Sequence, residues 1–222
     1  MDTLVENRAE IWEGFRLTLW MLLVSGILAT VLGTVLASFR VSPVGSLRAI
    51  GTSYVNVFRN TPLVIILVLS AAFWPTVGLN SIGVLGYSTF VTFAVLGLSV
   101  YTAAFVCEAV RSGINSVATG QAEAARSVGM TFTQSLRLVI LPQALRAVIP
   151  PLTSIYIALA KNTSVAAIVG VPEAAYVMRR LSNKFTSDVY AIFLGIALGY
   201  VMIVLVLSGL LQLAERRLAV AR

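Results

Sequence analysis

The segment from Leu17 to Phe39 is apolar throughout and contains no charged residue. A run of this length can cross the roughly 30 Å hydrocarbon core of a bilayer as a single helix. Within lipid only a helix or a closed barrel satisfies its own backbone hydrogen bonds. The segment that precedes the run is acidic, and the run is too long for the core of a secretory signal peptide. The sequence therefore predicts a retained first membrane-spanning helix.

Further apolar segments predict four more membrane spans. The whole chain is 58% hydrophobic and only 11% charged, whereas soluble domains carry roughly 25% charged residues. We therefore expect one all-α integral-membrane domain, residues 1–222, with five transmembrane helices. Pro150 and Pro151 are expected to open the fourth span, and the polar segment from Lys161 to Ser164 is expected to interrupt it. The five predicted spans are 17–39, 62–79, 84–107, 147–171 and 189–213.

The distribution of lysine and arginine predicts the orientation of the chain. Segments 40–60 and 108–137 and the C-terminus are rich in arginine, whereas segment 1–13 is acidic. Because cytoplasmic loops carry the excess of basic residues, we expect the N-terminus outside and the C-terminus in the cytoplasm. Segment 172–188 opposes this assignment, since its cations would then lie outside: Arg179, Arg180 and Lys184.

Composition excludes several classes of function. The net charge of +7 is spread between apolar runs rather than gathered in a basic stripe, which argues against binding of nucleic acid. The chain has no histidine and a single cysteine, Cys107, so a metal site or an internal disulfide is not expected. Cys107 itself is expected to be a small buried apolar residue. The phosphate-binding pattern G-x-x-x-x-G-K-[ST] is absent, so the chain has no P-loop for ATP.

A polar segment between two predicted spans, residues 115–142, predicts a loop with regular structure on the cytoplasmic side. Segment 121–128 favours a helix, with Glu123 in its first turn, and Gly129 is placed to end that helix in a left-handed conformation. Thr131 and Gln134 match a capping box, which predicts a second helix running to a corner at Pro142. On this evidence the loop is either an amphipathic connector between spans or an element that lies in a groove of another protein.

Cations near the predicted spans are candidates for a binding site, because a charge at the centre of a membrane helix costs roughly 2.5–3.5 kcal/mol. Lys161 either binds a substrate carboxylate or forms a structural ion pair, for example with Glu108. Glu108 and Arg111 are three residues apart and can pair on one helix face, and Arg59 either lines the site or reaches the interface. The candidate substrate-binding residues are Arg59, Thr61, Glu108, Arg111, Lys161, Asn162, Thr163 and Ser164.

The polar loop resembles the EAA loop of ABC importer permeases. That motif reads E-A-A, three residues, G, nine residues, then I-x-L-P. This chain has the same register, with Val139 in place of isoleucine as the one departure. The resemblance implies that the loop forms a coupling helix docked on an ATPase subunit. The residues that it assigns to coupling are Gly120, Glu123, Ala124, Ala125, Gly129, Val139, Leu141 and Pro142.

Other segments are similar to the polar amino acid subfamily of these permeases, which serves histidine, arginine, glutamine and glutamate. Segment 59–63 (RNTPL) resembles the entry to its second span. Segments 101–113 and 159–164 also match that subfamily. Val41-Ser42-Pro43, taken with segment 59–62, looks most like the glutamate-uptake permeases of actinobacteria. The resemblance thus implies the type I ABC importer permease fold and, as substrate, glutamate or a related acidic amino acid.

The same resemblance implies a location in the bacterial plasma membrane, and it implies several partners. A separate ATPase dimer would bind ATP and magnesium, while the permease itself would hold no cofactor. A second permease, either a copy of this chain or a similar chain, would complete the pathway, and an extracytoplasmic binding protein would deliver the substrate. The alternatives are a permease for another polar amino acid (glutamine, arginine or histidine), a secondary transporter driven by an ion gradient, and a membrane enzyme.

Overall fold

A computed structural model describes residues 2–76, 78 and 87–218, and these residues are almost entirely helical. The α-helices are α1 Asp2–Glu6, α2 Arg8–Val41, α3 Gly45–Asn60, α4 Leu63–Thr76, α5 Thr89–Asn115, α6 Thr119–Ser127, α7 Phe132–Ser135, α8 Leu141–Asn162, α9 Ala174–Lys184 and α10 Val189–Leu218. A π-helical segment, Leu136–Ile140, joins α7 to α8. Two 3₁₀ segments, Thr163–Val169 and Thr186–Asp188, lie on either side of α9.

Four helical segments of the described chain are long and apolar enough to cross a membrane. They are Arg8–Val41, Thr89–Asn115, Phe132–Val169 and Thr186–Arg216. A fifth span results if α3 and α4, which are bent by 106° relative to each other, are counted as one broken span. The all-α membrane fold with five spans is confirmed in this form.

The broken span differs in detail from the sequence prediction. Segment 45–60 was expected to be a cytoplasmic connection, but it forms α3, which packs against α2 and α5 through the buried Val55. The bend falls at Thr61 and Pro62. Proline disfavours a helical conformation in the residue before it, and Thr61 is extended, with φ −99° and ψ 128°. The end of predicted span 62–79 and the start of span 84–107 fall partly outside the described residues.

The fourth span begins earlier than expected and contains no corner. Pro150 and Pro151 lie inside α8 rather than at its start, and Pro142 lies in the first turn of that helix, so both predicted breaks are wrong. Pro142 directly follows the π-helical segment, where the backbone hydrogen-bond pattern changes from π to α. The α-helix ends at Asn162, within the predicted interruption at Lys161 to Ser164, and the chain continues as the 3₁₀ segment, which is followed by Gly170 with φ +84°.

Helix α5 forms the centre of the bundle and contacts α2, α3, α4 and α8. Small residues allow these helices to approach closely, as is typical in membranes. A Cβ atom added to Gly33 of α2 would lie 2.6 Å from the Cβ of Val106. One added to Gly113 of α5 would lie 2.2 Å from a methyl carbon of Val148 in α8. Cys107 is fully buried in this region, as the sequence predicts.

Glu173, a buried residue that the sequence analysis did not identify, holds helix α9 against the bundle. Glu173 is fully buried and caps the first turn of α9 by accepting a hydrogen bond of 2.9 Å from the Tyr176 N–H. Its other oxygen accepts hydrogen bonds from the hydroxyl of Thr18, at 3.3 Å, and from that of Tyr200. One side chain therefore links α9 to α2 and α10.

The cations of segment 172–188 are engaged in local contacts. Arg180 forms an ion pair with Glu10 near the start of α2. Arg179 donates to the carbonyl oxygen of Ala167 at 3.3 Å, and the ammonium group of Lys184 lies 4.9 Å from the centre of the Phe185 ring. The N-terminal segment and α9 thus lie at the same end of the bundle, whereas Arg40 and the loop after α5 lie at the opposite end.

We expect Gly33→Ala to destabilise the protein, because the added methyl group would also approach the Ala103 carbonyl oxygen to 2.8 Å. Overpacking of this kind typically costs roughly 1–3 kcal/mol. The measurement is the thermal unfolding midpoint of the detergent-purified protein. Gly209→Ala is the matched control, since nothing lies within 4 Å of an added Cβ there. Equal midpoints for the two variants would contradict the close contact between α2 and α5.

The buried, hydrogen-bonded carboxyl group of Glu173 predicts a specific dependence of stability on pH. Burial raises the pKa of the Glu173 carboxyl above its usual value, although its hydrogen bonds act in the opposite direction. The folded protein therefore keeps this proton at pH values where the unfolded chain, with a pKa of about 4.3, has lost it. The free energy of unfolding should fall as the pH rises from that value to the raised pKa, and change no further above it.

Glu173→Gln removes this titration while preserving the size of the side chain. We expect the wild-type unfolding midpoint to decline relative to that of Glu173→Gln as the pH rises above about 4, because the pKa of the carboxyl is raised in the folded protein. Thermal unfolding of both proteins in the same buffers measures this difference, and the other titrating groups are common to both. A difference that stays constant as the pH rises would show that the carboxyl does not titrate in this way.

Candidate functional site

The loop after α5 forms two short helices separated by a glycine corner, as the sequence predicts. Helix α6 ends in paired backbone hydrogen bonds, from the Gly129 N–H to the Arg126 carbonyl at 3.0 Å and from the Met130 N–H to the Ala125 carbonyl at 3.1 Å. This is the Schellman arrangement, which needs a residue in the left-handed region. Gly129 supplies it with φ +83°. The position of the corner therefore depends on one glycine.

The capping box at the second helix is confirmed. The hydroxyl of Thr131 accepts a hydrogen bond from the Gln134 N–H at 3.3 Å, and the side chain of Gln134 accepts one from the Thr131 N–H at 2.9 Å. One detail of the first helix is wrong, because α6 begins at Thr119 and Glu123 therefore lies beyond its first turn. Glu123 is nonetheless exposed on this helix.

The loop presents an unusual surface for a connector. Val128 and Phe132, which flank the glycine corner, are 73% and 76% exposed, and Leu138 is 67% exposed. The positions from the family motif divide into two groups. Ala125 is buried against the loop itself, and Val139 and Pro142 are partly buried where the chain rises into α8. The exposed positions are Gly120, Glu123, Ala124, Gly129 and Leu141.

The carboxylate of Glu108 lies beside three arginines, which come from three helices. Arg111, one turn further along α5, lies 2.6 Å from one oxygen. Arg40, at the end of α2, pairs with the other oxygen, and Arg59, at the end of α3, lies 3.9 Å from the same oxygen. The predicted pairing of Glu108 with Arg111 is present, whereas the alternative pairing of Glu108 with Lys161 is not.

A cavity of about 350 Å³ opens between α5 and α8, on the same face of α5 as this cluster. This volume lies near the lower end of the range of about 300–1,000 Å³ for small-molecule sites. The hydroxyl of Thr102, a residue only 3% exposed, has no hydrogen-bond partner within the described part of the chain. The cavity is lined by Tyr101, Thr102, Phe105, Ser154, Ile155, Ala158, Leu159 and Asn162.

Only part of the predicted polar cluster at the end of α8 faces the cavity. Asn162 lines the cavity. The hydroxyls of Thr163 and Ser164 donate to the carbonyls of Ala160 and Lys161, each at 2.7 Å, and so serve the helix rather than a ligand. The hydroxyl of Thr61 likewise donates to a carbonyl of its own helix, that of Val57.

Lys161 is exposed, and no carboxylate among residues 2–76, 78 and 87–218 pairs with it. It follows Ser154 by seven residues and Ala158 by three, so it shares the helix face on which those two residues line the cavity. Arg59 lies at the other end of the same region, with its guanidinium 5.6 Å from the centre of the Phe105 ring. A cation is therefore found near each end of the cavity.

Sequence reasoning missed several residues of this region. Arg40 was counted only as a cytoplasmic basic residue, and its contact with Glu108 depends on how α2 packs on α5. Tyr101 and Phe105 are four residues apart, with ring centres separated by 5.0 Å, so their common face was detectable from spacing. Thr102 and Ser154 gave no comparable signal in an apolar helix.

Comparisons with known proteins identify the family that this chain resembles. Residues 29–220 match the family model described as the binding-protein-dependent transport system inner membrane component. The glutamate transport system permease protein GluC of Corynebacterium efficiens is 43% identical over 91% of each chain. The probable glutamine ABC transporter permease protein GlnM of Bacillus subtilis is 34% identical, over 98% of this chain and 97% of the relative.

Solved structures share the fold. A crystal structure of an amino acid ABC transporter with histidines aligns with a TM-score of 0.85 and 28% identity, covering 96% of each chain. An inward-facing structure of the MetNI methionine ABC transporter aligns with a TM-score of 0.76 at 23% identity, which supports the fold alone. From the family match over most of its length, this chain belongs to the inner-membrane permease components of binding-protein-dependent transport systems.

Proposed function

We propose that this chain is the permease subunit of an ATP-driven importer for glutamate or another acidic amino acid. The observation that carries the proposal is the cavity between α5 and α8, which has Lys161 near one end and Arg59 near the other. A dicarboxylate has an anionic group for each of these cations. The named glutamate relative, at 43% identity over 91% of the chain, supports the same substrate class.

The cavity offers contacts for the polar groups of an amino acid as well as its charges. The unpartnered hydroxyl of Thr102 and the amide of Asn162 supply hydrogen-bonding groups at its wall. A buried hydroxyl without a partner costs roughly 1–3 kcal/mol, which a ligand that bonds to it would recover. Ser154 and Ala158 are exposed on the single chain, so the cavity is open on one side and a second permease would close it.

The loop from Thr119 to Pro142 is proposed as the docking element for a separate ATPase. Large apolar side chains at Val128 and Phe132 are costly to leave in water, and a protein partner would cover them. The ATPase would bind ATP and magnesium, and the permease would hold no cofactor. Coupling of this kind requires the loop in the cytoplasm, which corresponds to an external N-terminus and a cytoplasmic C-terminus.

Transport would proceed by rocking of two permease halves between inward-open and outward-open states. Closure of the ATPase dimer would draw the two loops together, and a binding protein would deliver substrate at the end that carries α9. Substrate can shift this equilibrium only if it contacts the two states differently. Because the cavity opens toward the second permease, the wall of the cavity would change when the two halves move. The substrate would then contact the inward-open and outward-open states differently.

A permease for glutamine is the second candidate, because a relative named for glutamine is 34% identical over nearly the whole chain. Uptake by proteoliposomes distinguishes the two. The permease would be reconstituted with its ATPase and binding protein, and uptake of labelled glutamate, aspartate and glutamine would be compared. Glutamate uptake that requires ATP supports the proposal. Preferential glutamine uptake would favour the alternative, and uptake driven by an ion gradient alone would indicate a secondary transporter.

Reversal of the charge at Glu123 should weaken attachment of the ATPase. Glu123→Lys keeps a good helix former on an exposed surface, so α6 should persist while its contact with the partner is lost. Co-purification of the ATPase and substrate-stimulated ATP hydrolysis measure the effect, and we expect at least a tenfold loss of hydrolysis, about 1.4 kcal/mol. Glu215→Lys, near the end of α10, is the control.

Gly129 offers a second test of the docking loop. Gly129→Val should also uncouple the complex, because a β-branched residue disfavours the left-handed conformation, whereas Gly129→Asn should be tolerated. Full assembly and transport by both Glu123→Lys and Gly129→Val would show that the loop is not the docking element.

Lys161→Ala should impair uptake without preventing insertion into the membrane. Removing a cation that contacts a substrate carboxylate is expected to reduce uptake efficiency by roughly 10- to 100-fold. Initial rates in proteoliposomes measure this loss, and detergent extraction with size-exclusion chromatography checks assembly. Lys184→Ala provides the matched control, since Lys184 lies over the Phe185 ring and away from the cavity. Unchanged kinetics in Lys161→Ala would remove this residue from the substrate site.

A further inference from the structure

Helices α2 and α10 lie side by side, but a crevice separates them over part of their length. They meet near the end that carries α9, where a Cβ atom added to Gly199 of α10 would lie 2.1 Å from the Phe15 ring of α2. From this contact toward the loop after α5, two adjoining cavities of about 370 and 590 Å³ lie between the two helices. The crevice is therefore bounded at one end by Phe15 and extends from there toward the opposite face of the membrane.

The walls of the crevice are apolar. Leucines of both helices line the two cavities, among them Leu19 and Leu207. Thr30 and Tyr156 are the two polar side chains among the described residues that line them, and both are satisfied. The Thr30 hydroxyl donates to the Gly26 carbonyl at 2.7 Å and accepts from the Tyr156 hydroxyl. Because no polar group of the wall needs a partner, the crevice suits an apolar occupant.

The crevice lies at the depth of the hydrocarbon core. Its wall in α2 runs from Leu19 to Val31, in the middle of the span Arg8–Val41, and its wall in α10 lies within the span Thr186–Arg216. An unfilled crevice at this depth would forfeit dispersion contacts along both walls. What fills it comes from the membrane, and is either a hydrocarbon chain of a lipid or a helix of another protein.

The width of the crevice distinguishes these two occupants. Leu19 and Val31 are about 18 Å apart along α2, at 1.5 Å per residue. The larger cavity, with a volume of about 590 Å³, therefore has a mean cross-section on the order of 30 Å². A helix with its side chains is about 10 Å in diameter, which gives a cross-section of roughly 80 Å². Such a helix would rest on the rim of the crevice, whereas an extended hydrocarbon chain can enter it.

We propose that the crevice between α2 and α10 is a binding site for one acyl chain of a phospholipid. The chain enters from the leaflet on the side of the loop after α5, because the contact between Phe15 and Gly199 closes the other end, and its methyl end points toward Phe15. Helix α10 packs mainly against α8 and α9. The bound chain fills the space on its remaining side and so joins α10 to α2.

Lipid retention by the purified complex tests this site. The permease–ATPase complex is delipidated in detergent and supplied with limiting phosphatidylglycerol, and its bound lipids are counted by native mass spectrometry. Ile27→Trp and Leu211→Trp should each weaken binding of one lipid per copy of this chain by roughly tenfold or more, because an indole ring from either wall takes the place of the chain. Leu205→Trp is the matched control, since Leu205 is exposed on α10 and lines neither cavity.

Equal lipid binding by the wild type and all three variants would overturn the inference. So would a wild-type complex in which a helix of another membrane protein, rather than lipid, cross-links to Ile27→Cys. The unfolding midpoint of each lipid-free variant should equal that of the lipid-free wild type, which separates loss of the site from loss of structure. None of these outcomes depends on which amino acid is transported, so the proposed function stands or falls separately.

A photoactivatable group on the acyl chain tests the direction of entry. Placed at the terminal carbon, the group should label the chain near Leu19 and Met202. Placed next to the glycerol, it should label the chain near Val31 and Leu211. The reverse order would overturn entry from the leaflet beside the loop after α5, and labelling that persists in Ile27→Trp would overturn the site itself.

Discussion

The close approach of α2 to α5 is the contact on which the rest of the structure depends. Within lipid there is little hydrophobic drive to join two helices, so packing at short range and polar contacts must hold them. Gly33 permits the approach by leaving room for Val106, and the same contact brings Arg40 beside Glu108. Helices α3, α4 and α8 also pack against α5, so the cavity and the loop that follows α5 take their positions from this helix.

The polar groups of the bundle are arranged at three levels. Glu173 lies at the end with α9, the cavity lies near the middle, and the arginine cluster lies toward the docking loop. Each of two carboxyl groups joins three elements, since the buried Glu173 links α9, α2 and α10 while the partly exposed Glu108 links α5, α2 and α3. Because a buried polar group or charge that loses its partners is costly, each carboxyl group constrains the helices that it joins.

The sequence predicted best what depends on local residues. The glycine corner at Gly129 and the capping box at Thr131 follow from backbone preferences of a few neighbouring residues, and both are present. The apolar runs likewise predicted the membrane helices. The bend at Pro62 was accessible in principle, but segment 45–60 is too polar on one face to be identified as part of a span.

What could not be predicted depends on how distant segments meet. The contacts of Arg40 with Glu108, and of Glu173 with Thr18 and Tyr200, join residues far apart in the chain and leave no periodic pattern. The prolines of α8 misled the prediction, since Pro142 directly follows the π-helical segment without a corner and Pro150 and Pro151 lie inside the helix. Thus the fold class and the loop were predictable, whereas the walls of the cavity required tertiary packing.

The unbroken helical run from Phe132 to Val169 has a mechanical consequence. Its close contact with α5, at Gly113 and Val148, lies roughly 24 Å from Phe132 and about 21 Å from Asn162 at 1.5 Å per residue. A rod that pivots at this contact has arms of nearly equal length. In the proposed complex, a tilt of this helical run about that contact would move the cavity wall in the direction opposite to the loop from Thr119 to Pro142.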